Sequence, residues 1–368
     1  MTPSYILRLI GKILTYLLYL STVLSAYGGF IPPRLWALPS VLALAFPYLL
    51  ILSLLVAVAW LVGRRLFTAI AGGLTMVACW PVATAACPVA FSSEPENPCF
   101  SLMTYNVYDL QDYQHPEATG YSRSLGEVIR SKADIVCLQE LYNLPRLNAE
   151  LSSQSDSLRR LYPYIIKGKP FEGSYTPFML LSKFPAREVP IPERYWADCA
   201  LYRVQLPGQV IHVLNVHLTS YQLTQSERQV VSNIRSLRSA RESLKMDRPL
   251  YGKLSVAFRD REECSRAIRE LIDSIPGPLV ICGDFNDVPG SYAYRTIRGN
   301  DISDAVAKTT FGPMITYHAH GFLFHIDQVL YRGDLRPNSA RRGSIRSSSA
   351  TESELSDHIG NWMSTMPG

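Results

Sequence analysis

The stretch Leu279-Val280-Ile281-Cys282-Gly283-Asp284-Phe285-Asn286 decides the reading of this chain. Four apolar residues with the look of a buried strand run directly into a glycine, a carboxylate and an amide. Four other stretches repeat the pattern. Leu102-Met103-Thr104-Tyr105 ends in Asn106, and Ile135-Val136-Cys137-Leu138-Gln139 ends in Glu140. Val213-Leu214 leads to Asn215-Val216-His217, and Phe324-His325-Ile326 opens onto Asp327 ahead of Val329-Leu330-Tyr331. Burying a neutral polar group without a partner costs roughly 2–7 kcal/mol, so polar residues repeated at strand ends imply one shared polar site. Ser356-Asp357-His358 adds another carboxylate and imidazole near the C-terminus.

Spacing refines the picture. Asp284 and Asn286 are two apart, as are Asn215 and His217, so in extended backbone each pair shares a face. The remaining histidines of this region, His318, His320 and His325, follow no such pattern and read as structural. There is no internal repeat, no dinucleotide-binding fingerprint and no His/Cys cluster with zinc spacing. Short β-rich runs alternate with helical stretches such as Ser122–Ser131, which precedes the Ile135–Leu138 strand, and that alternation predicts a mixed α/β fold.

Six of these segments, taken in order from about Phe100 to the C-terminus, resemble the endonuclease/exonuclease/phosphatase superfamily. Its metal-dependent phosphoesterases include pancreatic-type deoxyribonuclease, apurinic endonucleases, neutral sphingomyelinases and inositol-polyphosphate phosphatases. The resemblance implies a four-layer α/β sandwich, two packed β-sheets flanked by helices, with the active site at one edge. It implies Mg²⁺, with Mn²⁺ as the alternative, held by Glu140 with Asn106 and Asp357 as the other metal-site residues. It implies that Asp284 orients or deprotonates the attacking water while Asn286 holds a phosphate oxygen. Asn215 and His217 would contact phosphate or protonate the leaving group. His358 would stand opposite His217, hydrogen-bonded to Asp327. His217 stands where apurinic endonucleases carry Tyr, which points toward the deoxyribonuclease and sphingomyelinase-like branches. The Gly173–Phe178 turn lacks a second glycine often found there.

The first ninety-odd residues are a different material. Residues 1–92 contain no Asp or Glu, and their only basic residues are Arg8, Lys12, Arg34, Arg64 and Arg65. The chain has 36 Lys+Arg against 31 Asp+Glu, so removing those five leaves 31 against 31 downstream. A neutral catalytic part removes the usual electrostatic case for general nucleic-acid binding. Three uncharged stretches, Ile13–Pro33, Leu35–Gly63 and Leu66–Phe91, can each supply the roughly 20 apolar residues that a membrane-crossing helix needs. Residues 1–92 are thus expected to form a membrane anchor, 93–99 a solvated linker and 100–368 the catalytic domain. Arg8 with Lys12, and Arg64 with Arg65, flank one end of these spans. That bias predicts a catalytic domain on the periplasmic or extracellular side, and the resemblance implies a membrane-anchored member of bacterial type, hence the bacterial inner membrane.

Two helices are expected between His217 and Asp284, Gln225–Met246 and Asp260–Ile275, as solvated outer helices or as a basic cap over phosphate or anionic lipid. Asn338–Ser353 is expected to be a flexible loop. Cys137 and Cys282 read as small hydrophobes within strands, and the other cysteines show no disulfide framework. The functional expectation is a membrane-tethered phosphodiesterase acting on a lipid head group or a nucleic acid, in contact with the bilayer and with no protein partner. Two alternatives stay open: a phosphomonoesterase on a soluble sugar or inositol phosphate, and a catalytically silent scaffold on the same fold.

Overall fold

The computed structural model describes residues 3–94, 99–110, 121–142, 151–169, 178–221, 240–317, 323–342 and 361–367. Three helices come first, α1 (Pro3–Tyr27), α2 (Leu38–Val62) and α3 (Leu66–Ala86), each long and apolar enough to cross a membrane. They pack through small and hydroxyl side chains, as apolar helices do when lipid surrounds them. Thr22 Oγ1 and Ser53 Oγ lie 2.7 Å apart, and Trp60 Nε1 donates to Thr15 Oγ1 at 2.9 Å. The first helix starts well ahead of Ile13 because Arg8 and Lys12 are carried on exposed helical turns, where long basic side chains can reach a polar boundary. The third ends at Ala86 rather than Phe91, and Val89 instead bridges to Phe311.

Two six-stranded sheets follow among the described residues. In the first, β1 (Phe100–Asn106) pairs in parallel with β2 (Ile135–Gln139), and β2 runs antiparallel to β4 (Phe178–Ser182), whose far side carries β3 (Tyr164–Lys167). The other side of β1 pairs antiparallel with β12 (Asn361–Pro367), and β11 (Leu335–Arg342) closes that edge. The second sheet runs in the order β5 (Ala186–Val189), β6 (Cys199–Leu206), β7 (Gln209–His217), β8 (Leu279–Asp284), β10 (Asp327–Arg332), β9 (Ser303–Asp304). Within it β7 and β8 are the parallel pair.

Strand alternation builds the layers. Leu102, Ile135, Cys137 and Leu180 of the first sheet meet Tyr202, Val213, Val280, Cys282 and Val329 of the second in one buried core. The intervening residues face outward. Met103, Val136 and Leu138 pack on Leu125 and Val128 of α4 (Arg123–Ser131) and Leu158 of α5 (Ser152–Leu161). Leu214, Val216 and Ile281 pack on Ile268 and Ile272 of α6 (Ala240–Ser274) and Ile297 of α7 (Tyr292–Arg298). The architecture is helices, sheet, sheet, helices. Cys137 and Cys282 are buried in the central core as expected.

Several local expectations need correction. A single 35-residue helix, α6, occupies Ala240–Ser274, so the second expected helix begins far earlier than Asp260. Its apolar stripe continues upstream through Phe258 and Ala257, both buried. Most of the first expected helix, with Arg228, Arg235 and Arg238, lies outside the described residues, as does the Gly173 turn. Residues 338–342 belong to β11, not to a loop: Ser339–Arg342 pair with β12, and Asn338, at a bulge in the strand, is itself buried. The start of the linker is held too. Ser93 N donates to Asn338 O at 2.8 Å, and Asn338 Nδ2 donates to Glu94 O at 3.3 Å.

Candidate active site

Along five strands the residues facing the central core change from apolar to polar at the same end of the sandwich. On β1 the inward sequence is Phe100, Leu102, Thr104, Asn106; on β2 it is Ile135, Cys137, Gln139. On β7 it is Ile211, Val213, Asn215, His217, and on β8 Val280, Cys282, Asp284. Strand β10 runs the other way, so its first residue, Asp327, pairs with Asp284 at that same end. His217 is likewise in register with Asp284 across the parallel pair.

At this end four side chains meet. Asn106 Nδ2 donates to Glu140 Oε1 at 2.8 Å and to Asp284 Oδ2 at 3.1 Å, joining carboxylates from opposite sheets. Its Oδ1 accepts the Tyr108 N–H at 3.0 Å. His217 Nε2 lies 3.2 Å from Glu140 Oε1 and 3.9 Å from Asp284 Oδ2. Glu140 leaves β2 with φ +54°, a conformation that costs a non-glycine residue about 1–3 kcal/mol and recurs where a side chain must be aimed. Asp284 is fully buried, with Oδ1 accepting the Asn286 N–H at 2.8 Å.

Other sequence candidates behave differently. Asn286 has φ +50°, a left-handed conformation asparagine tolerates, so it does not share an extended face with Asp284. Its Nδ2 donates to Leu218 O at 2.8 Å, fastening the Asp284 loop to the end of β7. Asn215 does share a face with His217 but is wholly buried one layer below it. Its Nδ2 donates to Leu138 O at 2.9 Å and its Oδ1 accepts from Gln139 Nε2 at 2.6 Å. Both ends of that amide tie the sheets together as an inter-sheet brace. Asp357 and His358 lie outside the described residues, and with them the expected Asp327–His358 pair. Asn361, the first residue of β12, is opposite Thr104 of β1.

Three site residues escape sequence reasoning. Gln139 donates to Asn215 and, at 2.9 Å, to Thr104 Oγ1, extending the brace. Its signal was its place: an amide within a strand that is otherwise apolar. Asp198 accepts the His217 N–H through its carbonyl at 2.8 Å. Burial pushes the Asp198 carboxyl above its ordinary range, offset in part by a Cys264 hydrogen bond and the charge of His217. Arg261 of α6 is fully buried. Its Nη1 donates to Thr219 O at 2.9 Å, its Nε lies 3.5 Å from Asp287 Oδ2, and its guanidinium stacks on Tyr221 at 4.2 Å. Burial raises Asp287 to about 6 against the opposing pull of Arg261. No sequence signal marks Arg261 among so many helical arginines.

A family model described as "Endonuclease/Exonuclease/phosphatase family" matches residues 103–358, from β1 through every strand that carries the site. The chain belongs to the endonuclease/exonuclease/phosphatase family. A second model, a domain of unknown function (DUF8431), matches residues 7–85, the span of α1–α3. A search of curated proteins finds no match. Among solved structures the family chain is similar to an endonuclease/exonuclease/phosphatase from Beutenbergia cavernae, at 18% identity over 73% of this chain and 72% of that one, with TM-score 0.44. It is similar to sphingomyelinase C from Streptomyces griseocarneus, at 17% identity over 73% and 99%, with TM-score 0.44. It is also similar to D. rerio TDP2 complexed with a single-strand DNA product, at 15% identity over 73% and 100%, with TM-score 0.45.

Members of this family are generally dependent on a divalent metal, and the donor chemistry fits one. Among the described residues no three His, Cys, Asp or Glu side chains form a closed cage. A hard cation such as Mg²⁺ does not need one, because it binds through one or two carboxylates and keeps water and substrate oxygens as its other ligands. Glu140 offers such a carboxylate. Asn106 stands beside it, its Nδ2 donating to both acids.

Proposed function

We propose that this chain is a membrane-tethered, divalent-metal-dependent phosphoesterase that hydrolyses a phosphodiester. The observation that carries the proposal is the convergence of Asn106, Glu140, His217 and Asp284 within hydrogen-bonding distances, with one carboxylate from each sheet. Glu140 and, as the family resemblance implies, Asp357 would hold the Mg²⁺, or Mn²⁺. When bound, the cation neutralises charge on the non-bridging phosphate oxygens and on the departing oxygen.

The protein's own groups do the rest. Asp284 is held by the Asn286 N–H at one oxygen and by Asn106 at the other. That fixes its carboxylate to orient the attacking water and accept its proton. His217, fastened through its backbone to Asp198, donates to a phosphate oxygen or to the leaving group. Asn286 and Arg261 keep the two strand-end loops in place around this pair. Asp327 pairs with Asp284 across the sheet, and the family resemblance assigns it the role of partner to a second imidazole, His358.

The tether is α1–α3. Arg8, Lys12, Arg64 and Arg65 lie at the end away from the catalytic domain, and positive-inside bias supports a periplasmic or exterior position for that domain at a bacterial inner membrane. The test is turnover of bis-p-nitrophenyl phosphate by the full chain, stopped by EDTA and restored by Mg²⁺ or Mn²⁺. The proposal requires that Glu140→Ala lose this turnover. Faster cleavage of p-nitrophenyl phosphate would favour the monoesterase reading, and no cleavage of either by folded, metal-loaded protein would favour a scaffold.

A further inference from the structure

The site end of the sandwich does not project away from the helical bundle; it is seated on it. The loop after Asp284 reaches the bundle through Val288, which packs with Phe324 and Ile326 against Leu44 of α2. Gly290 lies so close to α3 that an added Cβ would be 2.8 Å from Val82 Cγ1. Gly29, just past α1, touches the same loop backbone to backbone, and a Cβ there would be 2.7 Å from Ser291 C. An ion pair locks the arrangement. Arg34, between α1 and α2, donates its backbone N–H to Glu262 Oε2 at 2.7 Å and sets Nε 3.2 Å from Oε1 of that buried acid.

Both loops that touch the bundle carry site residues. Val288 is in the loop that begins with Asp284, and Ile326 adjoins Asp327. Four extended residues span at most about 14 Å, so the catalytic carboxylate is held within that reach of Val288, which is seated against α2. Leu44 is well inside α2, roughly 9 Å along its axis from Leu38 at 1.5 Å per residue. The catalytic domain also exposes apolar groups beside the bundle. Phe311 (68% exposed) stacks on Phe91 (75% exposed) with ring centroids 5.2 Å apart, and Leu323 is exposed next to the seated Phe324. Exposed apolar side chains gathered beside apolar helices mark a surface suited to contact with a membrane.

From this seating we infer that the substrate is a lipid phosphodiester drawn from the leaflet on which the domain rests. Its head-group phosphate enters from the bundle side while its acyl chains stay in the bilayer. The inference rests on the phosphodiesterase reading above and narrows it. In the reaction a water oxygen bonds to phosphorus and one of the two ester P–O bonds breaks. The water's proton passes to a base, and the departing alcohol oxygen takes one up. The products are a phosphomonoester and an alcohol, one of them carrying the acyl chains.

The test reconstitutes the full chain in vesicles of phosphatidylethanolamine and phosphatidylglycerol and follows conversion of diester to monoester by ³¹P NMR. Parallel reactions contain the deacylated glycerophosphodiesters, single-stranded DNA and bis-p-nitrophenyl phosphate. The expected result is vesicle lipid turned over at least about tenfold faster than the same diester without acyl chains, a gap of about 1.4 kcal/mol. The double variant Phe311→Asp, Leu323→Asp should lower vesicle turnover by about tenfold while bis-p-nitrophenyl phosphate turnover stays within about twofold. Intact vesicle lipid beside active cleavage of bis-p-nitrophenyl phosphate, or a preference for DNA or the deacylated diesters, overturns the inference and leaves the phosphodiesterase reading standing. Failure on every substrate removes both. The wild-type comparison decides the matter even where the double variant does not fold.

Discussion

Replacing Gly283 with alanine tests how the fold delivers the site. Gly283 has φ +140° and sits opposite Val216 across the parallel β7–β8 pair. A Cβ there would lie 2.8 Å from Val216 N and C, and nearer still to the Val216 carbonyl oxygen. These are backbone atoms, so no rotamer change relieves the clash. The conformational strain costs about 1–3 kcal/mol and the overpacking about 1–3 more, giving about 2–6 kcal/mol in all. At about 2–4 °C per kcal/mol, Tm should fall by roughly 4–24 °C. The next residue pair in register is His217 with Asp284, so parting the strands moves the imidazole from the carboxylate. Misplacement by about 1 Å costs about 10²-fold in rate. The assays are thermal unfolding and kcat/KM on bis-p-nitrophenyl phosphate. Gly208→Ala is the control, because it also has positive φ (+91°) but nothing within 4 Å of the added Cβ, so it should lose a little stability and no activity. A Gly283→Ala protein with wild-type Tm and kcat/KM would refute the reasoning.

Three further outcomes follow from the same packing. Gln139→Leu strands Asn215 Oδ1 and Thr104 Oγ1 in the core, so urea unfolding should show a loss of about 2–5 kcal/mol; a loss under about 1 kcal/mol would mean the brace is dispensable. Arg261→Met leaves Asp287 buried without its guanidinium and should cost about 3–5 kcal/mol, with reduced kcat; unchanged stability would rule out the clamp. Burial lowers the pKa of His325, despite the nearby charges of Asp304 and Asp327. Below about pH 6.5 the unfolded chain therefore takes up a proton that the folded one refuses, and stability is lost as pH falls. His325→Leu should flatten that decline between about pH 7 and 5, and an identical slope in the variant would contradict the assignment.

The mixed α/β class was legible in the alternation of β-rich and helical runs, the sandwich only through the resemblance that the ordered motifs carry, and most of the site through polar residues at the ends of buried strands. Asn106, Glu140, His217 and Asp284 were each visible at such an end. What sequence could not give was depth along a strand. Asn215 and His217 share a face, yet one strand repeat of about 6–7 Å separates a core brace from a cleft residue. Nor could it give the turn at Asn286, whose positive φ swings the amide onto Leu218. Arg261 was invisible because its partners, Thr219 and Asp287, come from two distant strand ends that only the fold brings together. The seating of the bundle on the Asp284 loop depends on Gly29 and Gly290, whose close approaches join segments far apart in the chain.

The most direct test of the central claim is Mg²⁺-dependent hydrolysis of bis-p-nitrophenyl phosphate by the full chain beside its Asp284→Ala variant, with folding of both verified by circular dichroism. The account predicts turnover in the first, abolished by EDTA, and a loss of at least about 10²–10⁴-fold in the second. Equal turnover by the two folded proteins would contradict it.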